Sequence, residues 1–179
     1  MKNPLTFFKN KSINLFTSGS KSLSRDALIV LQKLQSIEGE FRQERVLNIL
    51  RDVKPDTFME LIANAYIMQN YKPGRRSRDY EKNKGYTFHK DGNTFLICAS
   101  QNREIVDLID VGDFITQVRE MGVIGIFVHT ARTSQFVLNF IKNTRIQIVS
   151  GENLVTLICP YKSVDFKTKE VAPQLMYGS

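Results

Sequence analysis

Two short runs constrain this chain more than anything else in it. Thr94-Phe95-Leu96-Ile97-Cys98-Ala99 and Val123-Ile124-Gly125-Ile126-Phe127-Val128 are apolar without alternation. A half-buried strand would alternate apolar and polar residues, so runs of this length and composition fit strands covered on both faces. Alternation appears just upstream, in Tyr86-Thr87-Phe88-His89, and Asp91-Gly92-Asn93 supplies a turn between it and the first run. These segments predict a hairpin whose second strand is buried, followed later by a core strand over 123–128. Arg145-Ile146-Gln147-Ile148-Val149 predicts one more strand.

Helical patterns surround the strands. Ser24 or Asp26 starts a helix through Ile37, with Ala27, Leu28, Leu31 and Leu34 on one face, and Gly39 breaks it. Glu40 to Val53 predicts a second helix with Phe41, Val46, Leu47 and Leu50 apolar. A third begins at Pro55, suited to a first helical position, and runs to about Gln69 with Phe58, Leu61, Ile62, Ala65 and Tyr66 inward. Tyr71 to Lys84 reads as a loop or distorted strand. Later helices are expected from Asp110 to Met121, from Thr133 or Ser134 to Lys142, and from about Ser150 to Ile158. Strands interleaved with helices predict an α/β sheet with a parallel part.

Charge is unevenly placed. The formal net charge of +7 hides a local +5 over residues 1–25 and another +5 over residues 72–90, which leaves the remainder at −3. Concentrated cations attract polyanions. Within the second segment, Lys72, Arg75, Arg76, Arg78, Lys82, Lys84 and Lys90 are the candidate nucleic-acid contacts, because guanidinium forks match phosphate geometry. Tyr71 and Tyr86 are expected to face the core rather than stack on bases. Residues 1–24 read as a flexible basic arm whose Phe7, Phe8 and Phe16 could dock elsewhere. Its Gly19-Ser20-Lys21-Ser22 lacks the Gly that a phosphate loop places before its Lys.

Other chemistries find little support. No apolar run approaches the roughly 20 residues of a transmembrane helix, so no membrane span is expected. Cys98 and Cys159 are too few for a disulfide framework or a thiolate zinc site, and read as buried thiols in a reducing, cytoplasmic setting. His89 reads as a surface residue. His129 stands where a strand ends, yet lacks a partner at any known spacing. No metal or other cofactor is expected.

The order of elements over residues 55–158 resembles the Mrr-like branch of the PD-(D/E)XK restriction-endonuclease superfamily. Three stretches carry the resemblance: Gly125-Ile126-Phe127-Val128-His129-Thr130-Ala131-Arg132-Thr133-Ser134, Ile146-Gln147-Ile148-Val149-Ser150-Gly151-Glu152-Asn153-Leu154, and Lys90-Asp91-Gly92 before an apolar strand. The resemblance implies a three-layer core, a mixed sheet flanked by helices, preceded here by an N-terminal helical segment. Four divisions follow: a basic arm over 1–24, a helical hairpin over 25–54, the endonuclease-like domain over 55–158 and an irregular tail over 159–179.

Active members hold a divalent metal on an Asp at the second strand and a Gln or Glu on the third, with a Lys two residues later and often a Glu on the first helix. Those positions fall on Gly85, Cys98, Ser100 and Met59, and Glu60 comes one residue late. The four cannot together bind a hard cation such as magnesium, because none supplies a carboxylate. The resemblance with these degenerate positions implies a non-catalytic protein that binds DNA or assists a DNA-processing machine. Two alternatives stay open: an interaction scaffold that recruits a partner or self-associates through residues 5–53, and an active nuclease using relocated groups such as Asp79, Glu81, Asp91, Lys72 or Lys90.

Overall fold

The computed structural model describes residues 23–74 and 85–160. Three helices come first: α1 (Arg25–Gln35), α2 (Arg42–Asp52) and α3 (Pro55–Met68). The sheet follows with β1 (Lys72–Pro73), β2 (Gly85–Lys90) and β3 (Asn93–Ser100). Then α4 (Leu108–Met121), β4 (Ile124–His129), α5 (Gln135–Ile141), β5 (Ile146–Val149) and α6 (Gly151–Ile158) alternate. The sheet order is β1-β2-β3-β4-β5. β1, β2 and β3 pair antiparallel, while β3, β4 and β5 pair parallel. The expected α/β architecture, a mixed sheet flanked by helices and preceded by an N-terminal helical segment, is the one observed.

Alternation along β3 and β4 divides the core in two. Phe95, Ile97, Ile126 and Val128 face α1, α2, α3 and α6, where Leu34, Val46, Leu50, Phe58, Ile62 and Leu154 complete one cluster. Leu96 and Phe127 face the other way, against Val111, Phe114, Ile115 and Val118 of α4 and Val137 of α5. Both faces of the central strands are therefore covered, which is why their sequences do not alternate in polarity. The first two helices share their cluster with α3 and α6.

Local chemistry sets the element ends. Ser24 caps α1 by accepting from the Ala27 N–H. Asp91 and Gly92, both at positive φ, turn β2 into β3 as a two-residue hairpin loop between paired Lys90 and Asn93. α4 begins at Leu108, earlier than its apolar pattern suggests, because Asp107 and Asp110 form a capping box that exchanges side-chain and backbone hydrogen bonds. Gly122 ends it in the left-handed conformation.

Phe41, one of the apolar residues of the second predicted helix, lies outside that helix, which starts later than expected. Phe41 precedes α2 with φ 60 and is 72% exposed. The reversal that begins at Gly39, itself at positive φ, swings Phe41 off the inward face, and α2 buries only Val46, Leu47 and Leu50.

Candidate functional site

β2 runs antiparallel to β3, and Gly85 pairs with Cys98. Ser100, two residues beyond Cys98, lies on the same side of the sheet by strand alternation. Three of the four positions singled out from the sequence thus come together at the carboxyl edge of the parallel strands. Met59 does not join them. It is buried in the cluster on the other face of the sheet. The adjacent Glu60 is committed elsewhere, accepting from the Ser24 N–H at 2.5 Å and the Ser24 hydroxyl at 2.6 Å, which ties the start of α1 to α3.

The three assembled positions supply no carboxylate. Ser100 Oγ donates to Asn102 Oδ1. Asp91 and Lys90, considered as relocated groups, stand at the opposite, hairpin end of β2. Asp91 lies six residue steps from Gly85 along the strand, roughly 20 Å, so neither group can reach the carboxyl edge. Lys72 pairs with His89 in the strand register and lies at that same hairpin end. Lys90 places its Nζ 4.6 Å from the Tyr71 ring centroid. Tyr71 packs edge-on against Tyr66 and Phe95, at 5.0 and 5.1 Å between ring centroids, as expected of a core-facing tyrosine. Among the described residues, no group of three His, Cys, Asp or Glu side chains could hold a metal ion. Arg75, Arg76, Arg78, Asp79, Glu81, Lys82 and Lys84 lie outside the described residues, as does nearly all of the 1–24 arm.

Polar side chains lace the carboxyl edge in a way the sequence did not reveal. Gln101 Nε2 donates to the Leu50 and Val53 carbonyls at 2.6 and 2.8 Å, tying the end of α2 to the end of β3. Arg51 donates to the Thr130 carbonyl at 2.8 Å, and the Thr130 hydroxyl donates to the Asn102 carbonyl at 2.8 Å. His129 is fully buried, with Nε2 3.0 Å from Thr133 Oγ1, which in turn is 3.4 Å from Ser150 Oγ. Its Nδ1 has no hydrogen-bond partner among the described residues. These groups latch helices and loops together. The only sequence signal was the position of His129 at a strand end.

Burial pushes the His129 imidazole down to about 4, against a smaller upward pull from Asp110. The folded protein therefore keeps His129 neutral at pH values where the unfolded chain would protonate it. Stability from this group is complete above about pH 6.5 and falls as pH drops toward 4, because the unfolded state binds the extra proton. Between pH 6.5 and 5, above the main carboxylate range, the expected loss is about 2 kcal/mol. Urea titrations across that interval check this, with His129→Gln expected to remove most of the slope. An equal slope in wild type and variant would assign the pH dependence elsewhere. Burial likewise pushes the Cys159 thiol up to about 11, despite Arg42 nearby, which makes it a poor nucleophile.

The hairpin edge differs in character from the carboxyl edge. Lys72 and Lys90 lie there on β1 and β2, and Arg145 leads into β5 at the same level, beside Asn93 and Gln147 on a shallow cleft of about 390 Å³. Four acids, Glu104, Asp107, Asp110 and Asp113, stand instead around the start of α4, at the carboxyl edge.

Comparison with known proteins adds little. No family model matches the chain, and no curated protein matches it. A solved structure, the MspJI restriction endonuclease in complex with a 27-mer oligonucleotide, is similar at 14% identity and a TM-score of 0.38. The likeness covers 79% of this chain and 34% of that one, so the chain spans about a third of the length of that neighbour. No helix among the described residues is long and apolar enough to cross a membrane.

Proposed function

We propose that this chain is a non-catalytic, restriction-endonuclease-like protein of the Mrr-like kind that binds DNA through its phosphates. The contacts would be Lys72, Arg75, Arg76, Arg78, Lys82, Lys84 and Lys90, extended along the hairpin edge by Arg145. The observation that carries the reading is the placement of cations. The strand register puts Lys72, Lys90 and Arg145 at one edge of the sheet, and the intervening segment of sequence adds five more Lys and Arg residues against Asp79 and Glu81. Phosphate contacts of this kind position a duplex without reading its sequence. Binding is then expected to be sequence-tolerant.

The non-catalytic part of the reading rests on Gly85, Cys98 and Ser100 meeting at one edge with no carboxylate among them. Supercoiled and methylated plasmids incubated with magnesium or manganese should remain uncut, while the same protein retards them in a gel. Nicking that a chelator abolishes, and that Asp79→Ala or Glu81→Ala removes, would restore the nuclease alternative. Retardation of neither duplex nor single strand near physiological salt would remove DNA binding and favour the scaffold.

A further inference from the structure

The helical layer over β3, β4 and β5 exposes apolar side chains at the start of α4 and along α5. Val106 and Thr133 form a parallel bridge, with the Val106 N–H donating to the Arg132 carbonyl and the Ser134 N–H to the Val106 carbonyl. Two residues beyond that bridge on each branch, α4 and α5 begin. Their first turns therefore start side by side from one edge of the sheet. Ile109 and Phe136 occupy equivalent places, each three residues past the bridge, and are 89% and 79% exposed. Ile105 beside them is 62% exposed, and Phe140, four residues after Phe136, continues the same face of α5. Apolar side chains exposed together on adjoining elements mark a contact surface.

Charge decides what covers it. From Glu104 to Val118 the chain carries four exposed acids and no Lys or Arg, and α5 carries no charge. Arg103, just outside that stretch, is paired with Asp52 at 2.8 Å, Arg132 follows the end of β4 beside the bridge, and Arg119 and Lys142 stand at the far ends of α4 and α5. A two-fold contact between copies would place the same acidic face against itself, which is repulsive. Residues 1–22 have the complementary character, with Lys2, Lys9, Lys11 and Lys21, no acid, and Leu5, Phe7, Phe8, Ile13, Leu15 and Phe16. Residues 161–179 are a poorer match, three Lys against two acids. Length permits the match. Phe8 precedes Leu23 by about fifteen residues, a reach of roughly 50 Å when extended, beyond the ~30 Å diameter of a small domain.

We propose that residues 1–22 dock within the same molecule on the α4–α5 face. Phe7 and Phe8 cover Ile109 and Phe136, and the lysines face Glu104, Asp107, Asp110 and Asp113. The docked segment neutralises the acidic edge of the sheet and removes its apolar patch from water.

The test uses the full chain with Phe8 replaced by a photoreactive benzoylphenylalanine. Cross-links within one chain to residues 103–113 or 135–141 are expected. Two separate variants, Glu104→Lys with Asp113→Lys and Ile109→Ser with Phe136→Ser, should each lower the yield about tenfold. Their melting curves should stay unchanged, since all four side chains are exposed and outside the caps. Raising salt from about 0.05 to 0.5 M should lower the yield severalfold by screening. Cross-links that join two chains, that fall on residues 25–68 or 161–179, or that ignore both variants would overturn the proposal.

Discussion

Gly125→Ala is expected to lower stability by about 2–3 kcal/mol and the melting temperature by roughly 5–10 °C. Gly125 sits on β4, the strand hydrogen-bonded on both sides in the parallel part of the sheet, and faces α4. A Cβ there would lie 2.5 Å from Val118 Cγ2 and 2.9 Å from Phe114 Cε1. Neither neighbour is the free end of a flexible side chain. Val118 and Phe114 are both buried, and Phe114 also packs on Phe127 at 5.5 Å between ring centroids. Relief requires α4 to move away from the sheet, which opens the cluster it seals. Gly112 provides a control of opposite sign. It lies within α4 with nothing inside 4 Å of a Cβ, so Gly112→Ala should stabilise by about 0.5–1 kcal/mol through helix propensity. Urea unfolding of the two variants measures both. A neutral Gly125→Ala would mean that α4 does not approach β4 this closely.

That close approach was invisible in the sequence, although the strand itself was not. Val123–Val128 announced a strand covered on both faces because its apolar residues do not alternate, and the covering layers are there. Gly125 within the run gave no sign that it was the residue on which α4 rests. The same division holds elsewhere. Pro55 and Gly122 located helix ends through backbone geometry that only those residues favour, and the structure places them at N1 of α3 and the C-cap of α4. Phe41 extends the apolar pattern yet lies outside α2, because periodicity measures which residues could share a face, not where the chain enters the helix. The candidate site was legible only as residue types. Gly85, Cys98 and Ser100 could be named by counting from Gly92, and their meeting follows from the hairpin register. Position along the strand was the missing quantity for Asp91 and Lys90. Nearness in sequence to Gly85 made them candidates for a relocated site, yet an extended strand carries them to the far edge. Gln101, Arg51 and Thr130 were missed for another reason. Their partners are backbone carbonyls on distant elements, and a carbonyl leaves no mark on a sequence.

Duplex binding is expected to weaken steeply with salt, and the slope identifies the surface responsible. With about 4–6 phosphates engaged, log affinity should fall against log salt with a slope on the order of −4 to −5. Replacing Arg75, Arg76 and Arg78 by Ala should flatten that slope by roughly 3 units, with an unchanged far-ultraviolet spectrum as the folding control. Arg145→Ala and Lys72→Ala should each flatten it by about 1 unit, because both lie at the hairpin edge with Lys90. The acidic edge makes a sharper contrast. In a background with Lys2, Lys9, Lys11 and Lys21 replaced by Gln, so that a released arm adds no cations, Glu104→Lys with Asp113→Lys adds positive charge at the carboxyl edge without touching the hairpin-edge cations, so a duplex seated on the hairpin edge should gain little affinity from it at moderate salt, where charges more than a Debye length of about 8–10 Å apart are screened. A duplex seated over Gly85, Cys98 and Ser100 should gain substantially. Titrations at three salt concentrations on wild type and these variants decide between the edges. A slope that none of the cation variants changes would place the duplex outside residues 72–90 and Arg145 altogether.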